Sequence, residues 1–240
     1  MVYSGNSQNS ISKGNFTYLF GYNIKKSKNV EFENGYKEHL QWHKENKDTF
    51  AWYGWYVQTG ERLGLFVDGV FGITNDMFDN RIKPTEDFED FIKTTAPYVE
   101  PTFRKIYEFK SGFSTSSLLE QRAPTSSIEV YYINVVQGME IYFEDLLSKL
   151  KDKNLNYKNM PPISVYKLIS GGEHTEYMLM AHRDSFSYFD SGNSFKTISD
   201  LVLKSFEPEK AKGMLDKLSK TIKSIKSETW SYIPDLSLIP

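Results

Sequence analysis

FTYLFGYNI (Phe16–Ile24) and IEVYYINVV (Ile128–Val136) decide the architecture. Each alternates large apolar side chains with smaller or polar ones, and each is followed by the same sequel. Period-two alternation marks a strand with one buried face. After the first comes Val30–Lys47, where Phe32, Tyr36, His39, Leu40 and His43 recur at helical spacing. Phe50–Thr59 (FAWYGWYVQT) and Leu63–Phe71 then read as strands joined by a turn at Gly60-Glu61. The second half repeats this order with a helix at Glu140–Lys151 and strands Ile163–Ser170 and Tyr177–Arg183 around Gly171-Gly172. Both halves next carry an F-D-[N/S] step, Phe78-Asp79-Asn80 or Phe189-Asp190-Ser191, before a long helical region. The first such region starts at Pro84 and is broken by Pro97 and Pro101; the second spans Thr197–Thr229 and restarts at Pro208. Repetition on this scale fixes the architecture before any motif is considered.

Composition narrows the function classes. The 240 residues carry a net charge of −2, which gives no support for a nucleic-acid surface, and no nucleic-acid partner is expected. The Lys-rich stretch Lys204–Lys226 is interleaved with Glu207, Glu209 and Asp216, as on a solvated helix face. The absence of cysteine removes disulfides, thiolate metal sites and cysteine nucleophiles. No apolar run approaches the ~20 residues of a spanning helix, so no membrane partner is expected. The polar start MVYSGNSQNSISKGN lacks a signal-peptide pattern, and suits a cytoplasmic protein or an exported one whose leader is gone. Aromatic residues make up 15%, enough for thick strand-lined cores or an aromatic pocket.

Each half therefore reads strand–helix–strand–strand–helix, with Phe103–Phe109 and Glu228–Ile233 as candidates for a short closing strand. The order is the split β-α-β arrangement of the ferredoxin-like fold. The expected fold is α+β: two ferredoxin-like β-α-β-β-α units in tandem forming a pseudo-dimeric α+β barrel. Expected boundaries are a flexible stretch 1–14, a first unit 15–113, a Ser/Thr-rich linker 114–127 and a second unit 128–240. In this element order the chain resembles the dimeric α+β-barrel superfamily. The resemblance points to cofactor-free monooxygenases, stress-responsive barrel proteins and the haem-containing chlorite dismutases, among which fold alone does not choose. In the haem proteins the axial histidine belongs to the helix layer of the C-terminal unit. The helices expected there hold no histidine, so no cofactor is expected.

Three constellations are candidates for chemistry. His39 and His43 stand four apart on one helix face, a spacing that can seat a metal. HLQWH lacks the acidic residue of a metalloprotease helix, and a third ligand would have to come from elsewhere, with Asp68 and Glu61 as candidates. No metal is expected; the pair reads as half-buried histidines bonded to backbone or a carboxylate, or as polar members of a ligand site. His182-Arg183-Asp184 ends a strand, which sends His182 and Asp184 to one face and Arg183 to the other. Arg183 can hold an anion or form a cross-strand ion pair. The block Trp52-Tyr53-Gly54-Trp55-Tyr56 presents Trp52 and Tyr56 on one face and Tyr53 and Trp55 on the other. With Gly54, Gly64, Gly69 and Gly72 beside it, the block suits either a flat apolar pocket or dense packing around missing side chains. The expected function is binding of a small apolar or aromatic ligand in the barrel, with Trp52, Tyr53, Trp55, Tyr56, His39 and Arg183 as the ligand-binding set. The alternatives are a cofactor-free monooxygenase whose base is His43 or His182, and a filled barrel serving through self-association. The first half, with two tryptophans in this strand and both helix histidines, is better equipped than the second, whose matching strand offers Tyr166.

Overall fold

Along Phe16–Ile24 (β1), Leu19 packs with the interior cluster, while Phe20 and Tyr22 pack with a separate cluster under a helix. Alternation has thus divided one strand between two cores, one on each face of the sheet. The computed structural model describes residues 14–117, 119, 123–154, 162–183 and 198–239. The other elements of the first half are α1 (Asn29–Glu45), β2 (Tyr53–Val57), β3 (Phe66–Ile73), α2 (Asn75–Asp79), α3 (Pro84–Thr94) and β4 (Val99–Phe109). The second half contributes β5 (Ser127–Val135), α4 (Glu140–Asn154), β6 (Ile163–Ser170), β7 (Glu176–Arg183), α5 (Ile198–Ser205), α6 (Pro208–Thr221) and β8 (Ile222–Tyr232).

All strand pairings are antiparallel, and the eight strands close in the order β1-β3-β2-β8-β5-β7-β6-β4. Within each half the fourth strand lies beside the first, and the third beside both the first and the second. Two short seams join the halves: β2 to β8 at Trp55↔Tyr232 through Val57↔Trp230, and β4 to β6 at Ile106↔Ser170 through Phe109↔Tyr166. Closure leaves no open edge in the sheet. The interior is a packed core of Tyr53, Trp55, Phe71, Tyr107, Tyr166, Met178, Met180 and Trp230, among others. Tyr53 and Trp55 stack at 5.9 Å, and Trp55 meets Trp230 at 5.7 Å. Each such ring taken out of water contributes about 1.5–3 kcal/mol.

At the barrel end that carries the β2–β3 turn, the interior becomes polar. Arg62 grips Glu228 with two bonds of 2.6 and 2.7 Å and donates to the Tyr132 hydroxyl at 2.9 Å. Glu176 accepts from Lys105 at 2.7 and 2.9 Å and from the Tyr107 hydroxyl at 2.5 Å. Together these groups seal the mouth.

Several expectations are corrected. The region expected to be helical up to Thr229 becomes strand at Ile222, directly after α6. The ambiguous Phe103–Phe109 is part of the longer strand β4, and Pro101 lies inside it. Pro101 is tolerated because pairing with β6 begins only at Ile106 and a register shift falls opposite it at Gly21/Tyr22. The second strand is Tyr53–Val57, shorter than Phe50–Thr59, and Trp52 instead bridges to Leu238. Residues 233–238 run back across the first half: Ile233 N–H bonds the Gly54 carbonyl at 2.9 Å, and Leu238 exchanges two bonds with Trp52 at 2.8 and 2.9 Å. The polar start, part of the linker, the Phe189–Ser191 step and Asp184 lie outside the described residues.

Candidate lateral cavity of the first half

Helix α1 buries Phe32, Tyr36, His39, Leu40 and His43 on one stripe, and α3 turns Asp87, Asp90, Phe91 and Thr94 toward it. The two helices approach closely because Gly35 has no side chain; a Cβ there would stand 1.8 Å from the Thr94 carbonyl oxygen. Beneath them the outer face of the sheet presents Phe20, Tyr22, Trp52, Asp68 and Arg104. The space left between helices and sheet is a cavity of about 250 Å³.

Its floor carries a buried acid. Asp68, 3% exposed, accepts the Tyr36 hydroxyl on Oδ2 at 2.7 Å, while its Oδ1 has no hydrogen-bond partner among the described residues. Burial raises the carboxyl to about 7, against the opposing pull of the Tyr36 hydroxyl, the Asp68 backbone N–H and the Arg104 charge. The Arg104 guanidinium lies over the Tyr18 and Phe20 rings, 5.9 and 5.2 Å from their centroids.

Its wall carries two histidines and Asp87, with Asp48 and Asp90 against the far sides of the two rings. His39 Nδ1 lies 2.7 Å from Asp90 Oδ2, and His43 Nδ1 lies 2.8 Å from Asp48 Oδ2. Each imidazole thus has its Nδ1 side against a carboxylate and its Nε2 side turned to the other ring. Those Nε2 atoms stand 3.3 Å apart, and each lies 3.4 Å from Asp87 Oδ1. The other oxygen of Asp87 accepts from Arg81 at 2.5 Å. Asp48 also accepts from the Trp52 indole and the Phe50 backbone N–H, both at 3.1 Å. Burial lowers the pKa of His39, opposed by its bond to Asp90. Arg81 is presented by a turn that ends in Lys83 at φ +37°, a strained conformation for a residue with a side chain.

The structure brings His39, His43 and Trp52 together at this cavity. Tyr56 lies on the same sheet face, its hydroxyl 3.1 Å from Glu33, and does not line the cavity. Tyr53 and Trp55 point the other way, into the filled barrel core. Two of the gaps beside their strand are occupied: a Cβ on Gly54 would lie 2.2 Å from the Leu236 carbonyl, and one on Gly69 would lie 2.3 Å from Leu19, while Gly64 opens on free space. Among the described residues, Tyr53 and Trp55 of the aromatic block are packed into the barrel core. His182 shares the interior face with Met178 and Met180 and meets Ser164 Oγ at 3.2 Å. Arg183 pairs with Glu129 on the neighbouring strand, the cross-strand ion pair among its two expected uses. The acidic group that meets Nε2 of both histidines is Asp87, not Asp68 or Glu61; Glu61 pairs with Lys226 on the surface. Sequence reasoning missed Asp87, Asp90, Asp48 and Arg81. Only the i, i+3 spacing of Asp87 and Asp90 on the face shared with Phe91 hinted at them.

In the second half the matching space between α4 and α6 is about 220 Å³ and is lined by Tyr142, Phe143, Met214 and the lysines Lys149, Lys210 and Lys217. The four histidines of the chain are His39, His43, His174 and His182. His174 is in an exposed turn and His182 faces the barrel interior, so the second helix layer offers no axial imidazole and does not fit haem.

No family model matches the chain, and no curated protein matches it. Solved structures do. A proposed monooxygenase from Lactobacillus acidophilus aligns over 94% of this chain and 96% of its own, with TM-score 0.57 and 11% identity. An anthrone oxidase-like protein aligns over 91% of each chain, with TM-score 0.52 and 10% identity. A chlorite dismutase variant from Candidatus Nitrospira defluvii aligns over 94% and 93%, with TM-score 0.55 and 8% identity. The fold is that of the dimeric α+β barrels. At these identities the likeness extends to the barrel and its helix layers, not to the side chains that line the lateral cavity.

Proposed function

We propose that the protein binds a small aromatic molecule bearing a hydroxyl group, not inside the barrel but in the lateral cavity of the first half. The observation that carries this reading is the buried Asp68, whose Oδ1 is unpartnered in a cavity walled by Phe20, Trp52, Phe88 and Phe91. Rings supply shape and apolar area, and Asp68 with Tyr36 supplies the polar anchor. In this reading the barrel is an intramolecular counterpart of a dimer: a first unit (15–113) that carries the site and a second (128–240) that completes the barrel. Of the residues expected to bind a ligand, His39 and Trp52 keep that role, while Tyr53, Trp55, Tyr56 and Arg183 serve packing and pairing.

The test is a titration of the full chain with 1-naphthol, followed by tryptophan fluorescence, with Trp52→Phe to assign the signal. Saturable quenching that is lost in Trp52→Phe is expected. Asp68→Asn and the hydroxyl-free analogue 1-methylnaphthalene should each bind at least tenfold more weakly, because a site built around a hydroxyl rejects a ligand lacking one. Equal binding of naphthol and methylnaphthalene would sink the reading.

A second reading, oxygenase-type chemistry, is favoured by one further property of Asp68. A carboxyl group poised near 7 can take the proton of a phenolic O–H, leaving a phenolate beside Arg104 for reaction with dioxygen. This replaces the histidine base expected from the sequence. It also accords with two structural neighbours described as a monooxygenase and an anthrone oxidase-like protein. Bound naphthol should then show the absorption of its anion at a pH below its solution pKa.

A further inference from the structure

We infer that His39, His43 and Asp87 form a binding site for one divalent transition-metal ion on the wall of the lateral cavity. Three acceptor atoms converge there: His39 Nε2, His43 Nε2 and Asp87 Oδ1, with edges of 3.3, 3.4 and 3.4 Å. With Nδ1 of His39 beside Asp90 and Nδ1 of His43 beside Asp48, it is the Nε2 atoms of the two imidazoles that face each other and the Asp87 carboxylate. A four-coordinate Zn²⁺ bonds nitrogen and oxygen at about 2.0–2.1 Å, which sets tetrahedral ligand atoms about 3.3–3.4 Å apart. An octahedral ion with bonds of similar length would bring adjacent ligands closer, to about 3.0 Å. The observed triangle has the tetrahedral spacing.

The surroundings are those of a metal site as well. Each imidazole has a carboxylate behind it, the arrangement that fixes the tautomer and ring orientation of metal-bound histidines. Arg81 holds the second oxygen of Asp87, leaving the first to face the histidines. The ligands come from one turn of α1 and the first turn of α3, two rigid helices locked together at Gly35, so the site needs no loop to order on binding. All three ligand residues line the cavity, so the fourth coordination position opens on it. A site with three protein ligands and one free position suits an oxygen donor such as water, a phenolate or a carboxylate. The inference stands whether or not the cavity takes an aromatic ligand, since its readout is the metal alone.

The test uses the full chain freed of metal by dialysis against a chelator. Titration with Zn²⁺ by calorimetry should show one equivalent bound, and Co²⁺ should develop the visible absorption of a four-coordinate ion. Asp87→Asn and His39→Gln should each weaken Zn²⁺ binding by more than about 100-fold. Asp90→Asn, which removes only the supporting carboxylate, should weaken it by about 10–100-fold. His174→Ala should leave it unchanged. Circular dichroism separates lost affinity from lost folding, and the Co²⁺ spectrum of the unsubstituted chain needs no variant at all. Uptake below one equivalent, or affinity unaltered in both Asp87→Asn and His39→Gln, would overturn the site. Either result would mark the cluster as a proton-sharing His–His–Asp network. Naphthol binding measured in chelator tests the cavity separately, so the two readings can fail independently.

Discussion

Asp68 is held between two demands, since the sheet buries it and the charged carboxylate is costly there. Its carboxyl ionises near 7 in the folded chain but near 3.9 once unfolded. Between those values the folded chain holds a proton that the unfolded chain has released. The stability associated with it is therefore complete below about pH 4 and is lost as pH rises through 7. Urea unfolding at pH 5 and pH 8 should show that loss, on the order of 3 kcal/mol, and Asp68→Asn should remove it. A slope that survives the substitution would place the titrating group elsewhere. His39 and His43 were visible as a pair in the sequence because helical periodicity puts i and i+4 on one face. Their carboxylate partners were not. Two acidic residues in the first turn of a helix ordinarily complement its dipole, and only the placement of α3 against α1 gives Asp87 and Asp90 another use.

At the scale of elements, the α1–α3 contact determines whether the cavity wall forms. Gly→Ala in the middle of an exposed helix ordinarily adds about 1 kcal/mol of stability. At Gly35 the sign should reverse, because the new methyl group meets the Thr94 carbonyl. Gly35→Ala should cost about 1–3 kcal/mol in thermal or urea unfolding, and should weaken naphthol and Zn²⁺ binding together as α1 is pushed away from α3. Strands β1 and β6 were legible to the residue, since alternation and flanking turns both marked them. The start of β8 was not. Lys223, Ser224, Lys226 and Ser227 leave that stretch polar on both faces, and no Gly or Pro separates it from α6, so it reads as more helix. Likewise, the two faces of β2 could be listed from the sequence but not assigned. Which face met the barrel depended on the C-terminal segment that fills the place of a Gly54 side chain.

For the whole molecule, closure is carried by two short seams and one sealed mouth. Glu228 is almost fully buried and is matched by Arg62, which remains partly exposed. Arg62→Ala would leave that carboxylate unpaired beside Trp230 and Tyr132. Breaking a buried pair by removing one partner costs about 3–5 kcal/mol, and the exposure of Arg62 lowers the expectation here to about 2–3 kcal/mol. Alternating strands in this order made the α+β barrel readable, because a closed sheet buries its inner face. The location of the cavity was not readable, since a filled barrel and an open one have the same alternating strands.

The return of residues 233–238 to Trp52 also imposes an order on how the molecule comes into being. During synthesis the strand FAWYGWYV emerges long before β8 and the segment that follows it, and until then one edge and one face of it are bare. Such an aromatic, strand-prone stretch is what a nascent chain has most need to shield. Strand β2 is thus made well before β8 and finished only after it.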